Sequence, residues 1–142
     1  MNPRAAVAVV LAATAFLSAC DAQRSCSVVG GRASSIEFAL DAVVTQHPGE
    51  QLRAVGCVET VCTSEQLAGS VVVFRGKPIA DKPLRVRLTI TDRAGHSVFD
   101  ASTTVRPSKE EVNGPGCPPT TWQARVAAQP GGTLRPATVA IQ

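Results

Sequence analysis

Five cysteines, at positions 20, 26, 57, 62 and 117, are the side chains of this 142-residue chain best suited to chemistry. A thiolate can carry a lipid as a thioether, close a disulfide, or ligate a soft metal. A four-cysteine zinc centre wants two close pairs, and here only Cys57 and Cys62 are close, at a spacing loose for a zinc knuckle, so no metal is expected. His47 and His96 fall in predicted turns without a partner at ligand or triad spacing. The serines at 34, 35, 64 and 70 lack a Gly-x-Ser-x-Gly elbow, and no glycine-rich phosphate loop precedes a helix. Glu110 and Glu111 are adjacent carboxylates, which an extended chain would point apart, and they read as a solvated loop. The expectation is a non-enzyme with no catalytic residue and no cofactor.

Cys20 stands apart from the other four by its context. Arg4 supplies a positive charge, an apolar stretch of about a dozen residues follows from Ala5 to Phe16, and Leu17, Ser18, Ala19 and Cys20 come next. The stretch is too short for the roughly twenty residues of a bilayer-spanning helix and has the form of a cleaved signal peptide. Leu-Ser-Ala-Cys resembles the bacterial lipobox, which implies a diacylglyceryl thioether on Cys20 and a lipid-anchored protein on the extracytoplasmic face of a cell membrane. A plain secreted protein with a free Cys20 is the alternative. Cysteine parity favours lipidation, because it leaves Cys26, Cys57, Cys62 and Cys117, an even set suited to two disulfides in an oxidising compartment. The expected organisation is a signal peptide over residues 1–19, a lipidated terminus and tether over 20–25, and one domain over 26–142.

Removing residues 1–19 leaves 123, a size suited to a single domain. It also takes Arg4 from the fourteen basic side chains, so thirteen face eleven acidic ones, a formal net of +2. That balance gives no footprint for nucleic acid, which usually shows as a strongly basic face. Trp122 with Phe38, Phe74 and Phe99 are the remaining aromatics, too few for a sugar platform or a single-strand stacker. Between residues 75 and 93, Arg75, Lys77, Lys82, Arg85, Arg87 and Arg93 outnumber Asp81 and Asp92. Such an excess could touch anionic lipid or wall polymer; its plainer reading is the charged solvent face of a sheet.

The elements that must position these residues are strands. Leu84, Val86, Leu88 and Ile90 alternate with Arg85, Arg87, Thr89 and Thr91, the period of a half-buried strand. A four-residue loop, Asp92 to Gly95, leads to a second strand from His96 to Val105. Direct closure of that loop would set Leu88 against Phe99, Val86 against Ala101, Leu84 against Thr103 and Arg87 against Asp100. Residues 51–58, 70–74, 121–127 and 132–141 read as further strands, separated by proline and glycine. Residues 34–46 fit a strand to about Leu40 followed by a helical turn, or a full helix with Ser34 and Glu37 as a capping box. About seven short strands suggest an all-β fold, an antiparallel β-sandwich of immunoglobulin-like type. The four remaining cysteines allow three connectivities; proximity and sandwich topology favour Cys57 with Cys62 and Cys26 with Cys117.

Three stretches carry a resemblance: the Cys-Val-x-x-x-Cys hairpin from Cys57 to Cys62, the Val-Arg-Leu-Thr-Ile-Thr-Asp strand and turn from Val86 to Asp92, and Asn-Gly-Pro-Gly-Cys-Pro-Pro-Thr from Asn113 to Thr120. With them the chain from Cys26 to Trp122 is similar to a group of small actinobacterial envelope lipoproteins of uncharacterised function. Eleven arginines against three lysines fit such a high-GC host. The resemblance implies an immunoglobulin-like fold and brings no catalytic residues. The expected role is a non-catalytic binding or scaffold module with an envelope protein as partner; a lipid-tethered carrier or sensor of a small ligand is the other.

Overall fold

Side chains on successive strand residues point to opposite faces, and this chain builds its layers from that alternation. A computed structural model describes residue 26, residues 33–76 and residues 79–138. Strand β1 (Ser35–Ala39) turns Ile36 and Phe38 inward and leads through Leu40 into a short helix, α1 (Asp41–Gln46). A hairpin follows, β2 (Arg53–Val58) and β3 (Val61–Gln66), then β4 (Val71–Arg75). The hairpin of β5 (Leu84–Thr91) and β6 (Ser97–Val105) precedes β7 (Ser108–Glu111), β8 (Thr120–Gln129) and β9 (Thr133–Ala137).

One sheet has the order β4-β1-β8, with β7 and β9 taking turns on the far edge of β8; the other has the order β3-β2-β5-β6. The result is an all-β sandwich that fits an immunoglobulin-like description. It departs from the expectation in two respects. Nine strands are present among the described residues rather than about seven, because β3 and β7 are polar and largely exposed and so carry no apolar period. The sandwich is also not wholly antiparallel: β1 runs parallel to β8, with Ile36 beside Ala124 and Phe38 beside Val126.

The hairpin of β5 and β6 keeps its expected faces but not its expected register. Leu88 lies opposite Ala101, Ile90 opposite Phe99 and Leu84 opposite Val105, a slide of two residues. The cause is local. Asp92 and His96 close the turn themselves, with the Asp92 N–H donating to the His96 carbonyl (3.0 Å) and the His96 N–H to Asp92 Oδ1 (2.8 Å). Val98 is then an extra residue between the pairs Ile90–Phe99 and Thr91–Ser97, a β-bulge. A shift of two preserves sidedness, so Leu84, Val86, Leu88 and Ile90 remain fully buried.

Residues 34–46 divide as the favoured reading has it, and the capping box is not made. Ser34 Oγ instead accepts from the Trp122 N–H at 3.0 Å, and Ser35 Oγ donates to Gln123 Oε1, both of which serve the junction of β1 with β8. The final strand is shorter than residues 132–141, ending at Ala137. Residues 139–142 lie outside the described residues.

Between the sheets, Ile36, Phe38, Val72, Phe74, Val126 and Leu134 meet Ala54, Val58, the inner row of β5, Phe99 and Val105 in one apolar layer. Phe38 is fully buried, and its ring edge lies where residue 56 would carry a side chain: a Cβ on Gly56 would sit 3.1 Å from Phe38 Cε2. Glycine in a strand interior ordinarily costs about 0.5–1 kcal/mol relative to alanine, so relief of that cost alone would make Gly56→Ala stabilising. Here overpacking wins, and Gly56→Ala should lower stability by about 1–3 kcal/mol in chemical denaturation. Adding Phe38→Leu should make the alanine less costly than it is in the parent, a coupling readable from the double-mutant cycle.

Candidate functional site

Cys20 lies outside the described residues. The other four cysteines form two bridges, Cys26–Cys117 and Cys57–Cys62, the pairing that proximity and topology favour. Cys26–Cys117 spans a sequence separation of 91 and ties the segment before β1 to the loop before β8. Cys117 is nearly buried at 6 % exposure while Cys26 is exposed. Cys57–Cys62 staples directly opposed residues of the β2–β3 hairpin, with Cα atoms 4.0 Å apart. Cys57 is half-buried and Cys62 exposed.

The hairpin expected between Cys57 and Cys62 is formed, and its turn lacks the residues usual for a tight turn. Residues 59 and 60 connect Val58 to Val61 without glycine or asparagine, and Glu59 takes a positive φ of 54°. A non-glycine residue in that region costs about 1–2 kcal/mol. Reciprocal bonds to one residue of β5 offset it: the Glu59 N–H donates to the Arg85 carbonyl and Glu59 Oε1 accepts from the Arg85 N–H, each at 2.8 Å.

Of the basic residues between 75 and 93, Arg85 and Arg87 lie on the outer face of the β3-β2-β5-β6 sheet, and Arg75 ends β4 in the other sheet. Lys82 and Arg93 lie outside the strands, and Lys77 is outside the described residues. Cys62, Cys57, Arg87 and Ser102 lie side by side in one row across the four strands. Arg87 does not face Asp100 directly; Thr89 does. Arg87 reaches Asp100 diagonally instead, Nε to Oδ1 at 2.8 Å and Nη2 to Oδ2 at 2.6 Å, a two-pronged ion pair. Those hydrogen bonds hold the Asp100 carboxyl below its usual range and raise Arg87. Arg106 pairs with Asp81 at 3.2 Å and Arg125 with Glu37 at 3.1 Å, so part of the basic complement is engaged within the chain.

The histidines each meet a nearby carboxylate. His47 Nδ1 is 3.1 Å from Glu50, and His96 Nδ1 is 3.0 Å from Asp92. The His96 backbone N–H is the chief reason the Asp92 carboxyl is lowered, with its imidazole contributing less. Glu110 and Glu111 are not in a loop. They belong to β7, where Glu110 faces Thr121 and Glu111 faces Thr120, and Glu111 pairs with Lys109, which lowers its carboxyl with help from the Gly116 N–H. Among the described residues no three His, Cys, Asp or Glu side chains are grouped to hold a metal ion, and no helix is long and apolar enough to cross a membrane. A surface cleft of about 360 Å³ opens where β7 and β9 leave Ala124 of β8 between them, with Val105 and Pro136 on its walls and Arg106 and Lys109 among its polar lining. Both of those cations are already ion-paired.

A lowered folded-state carboxyl contributes stability that is fully present above the ordinary aspartate value of about 3.9 and is lost as pH falls through the lowered one. Arg87→Gln should therefore move the Asp100 titration, followed by carboxyl-carbon NMR, up toward the ordinary range and weaken the acid dependence of unfolding. In the chain-entropy account, loss of Cys26–Cys117 by paired serine substitution should cost about 4–5 kcal/mol and loss of Cys57–Cys62 about 2 kcal/mol, which equilibrium denaturation can rank. Comparison of the chain with protein-family models, with curated proteins and with solved structures finds no match.

Proposed function

We propose that the chain is a lipoprotein, held on the extracytoplasmic face of a membrane by a diacylglyceryl thioether on Cys20, whose sandwich serves as a non-catalytic binding or scaffold module for an envelope protein. The observation that carries this reading is the Leu17, Ser18, Ala19, Cys20 sequence after a charged and then apolar start. Supporting it, the other four cysteines are all consumed in two bridges, as an oxidising compartment allows. The packed apolar layer between the sheets favours a scaffold over a small-ligand carrier, which would need a pocket there.

Six residues from Cys20 to Cys26 span at most about 20 Å, so the bridge to Cys117 would hold the loop before β8 close to the lipid. β1 runs parallel to β8 and leads into α1, which places α1 toward the opposite end of the sandwich. There the loop after α1 and the turn at Asp92 share a surface cleft lined by Glu50, Gln51, Asp92 and Arg93. In this reading that end faces away from the membrane and is where a partner would be met.

Cys20→Ala should shift the protein from the membrane fraction to the soluble one, or leave it unprocessed, with both disulfides intact by mass spectrometry. Unchanged membrane association and an unmodified mature terminus would refute the anchor. Crosslinking on intact cells should recover one envelope protein over a control bearing the lipobox alone; no enrichment would refute the scaffold role.

A further inference from the structure

We propose that Cys57–Cys62 is a thiol–disulfide exchange site, opened in the folded protein by an external dithiol and reclosed by the disulfide form of that reagent. The proposal rests on the placement of the bridge rather than on the anchor. Cys62 is exposed on an edge strand, so its Sγ is open to attack. Cys57 is directly opposed to Arg87 across the β2–β5 ladder on the outer face, and the Arg87 guanidinium leans to Asp100 on β6. A cation on the neighbouring strand favours a thiolate on Cys57, and the Asp100 carboxylate that holds it opposes the effect.

One thiolate of the dithiol attacks Cys62 Sγ; a mixed disulfide forms to Cys62, the Cys62–Cys57 bond breaks, and its electron pair leaves on Cys57 as a thiolate beside Arg87. The second thiolate of the dithiol then attacks the reagent's own sulfur in the mixed disulfide and releases Cys62. The dithiol ends as a disulfide, two electrons have passed to the protein, and the released thiolates take up protons from water. A lower leaving-group pKa speeds the first step, which is the role the geometry gives Arg87.

Opening this bridge leaves the hairpin in place, since β2 stays paired with β3 from Arg53–Gln66 to Val58–Val61 and with β5 along its whole length. The other bridge differs on each count. Attack at exposed Cys26 would expel a thiolate on nearly buried Cys117, where charge is penalised, and would release a link across 91 residues. Of the other charges on this face, Asp100 holds Arg87 and opposes its field, Arg85 is a second exposed cation diagonal to Cys57, and the Glu59 carboxylate is engaged by the Arg85 N–H.

The test is a dithiothreitol titration of the purified, oxidised protein at neutral pH without denaturant, quenched by alkylation and read by peptide mass. Cys57 and Cys62 should be alkylated while Cys26–Cys117 stays closed and the circular dichroism is unchanged. Arg87→Gln should slow opening by about two- to fivefold and Asp100→Asn should speed it by a similar factor, as expected for one charge added or removed near water. Arg87→Lys, which keeps the charge, should stay near the parent rate. Opening of both bridges together with loss of structure would overturn the proposal, as would Arg87→Gln and Asp100→Asn both accelerating the reaction, the mark of a loosened sheet rather than a local field.

Discussion

The distance between the two sheets is set where the ring of Phe38 lies against the bare backbone of Gly56. A sandwich core is only about 10 Å thick, and its largest buried side chain needs a gap on the facing sheet. Gly56 supplies that gap in the middle of β2, between Thr63 of β3 and Leu88 of β5. Everything else in the inner layer is fitted around this contact: the aliphatic row of β5 on one side, and Ile36, Val126 and Phe74 on the other. The scarcity of aromatics makes the contact more consequential, since there are few other large groups to fill a space if it moves.

Surface charge follows a different logic from the core. Arg87 with Asp100, Arg106 with Asp81, Arg125 with Glu37 and Lys109 with Glu111 are exposed or half-exposed pairs. Pairs of this kind, screened by water, contribute little to stability and mainly keep like charges apart and sheet edges from joining foreign strands. The near-neutral total is thus distributed over the surface rather than gathered into one field.

How much of this was legible in the sequence depends on what each residue faces. β5 was fully readable, because its two faces see opposite environments and every side chain reports which one it meets. β3 was not, because an edge strand exposed on both sides leaves no alternation to read. The sequence of β7 reads as a loop for the same reason, its strand character coming from backbone pairing with β8 and not from its own composition. The hairpin register of β5 and β6 shows the limit most plainly. Hydrophobic pattern fixes a register only modulo two, and the choice between neighbouring even registers lay with Asp92 closing its own turn and with the bulge at Val98. Of the chemistry, the disulfide partners could be inferred from spacing and topology, whereas the closeness of Arg87 to Cys57 required knowing that β2 pairs with β5 at all.

The parallel pairing of β1 with β8 carries a consequence for the order in which the domain is completed. β1 sits between β4 and β8, and its two neighbours enter the chain some 35 and 88 residues after it. Contacts that distant are costly to close in chain entropy, and they form after local hairpins such as β2–β3 and β5–β6. During synthesis, one edge of β1 therefore waits for β4 and the other stays unpaired until the last third of the chain. A fragment ending before Thr120 would expose the parallel edge of β1 permanently, which makes the carboxy-terminal strands guardians of the amino-terminal one against joining the wrong neighbour.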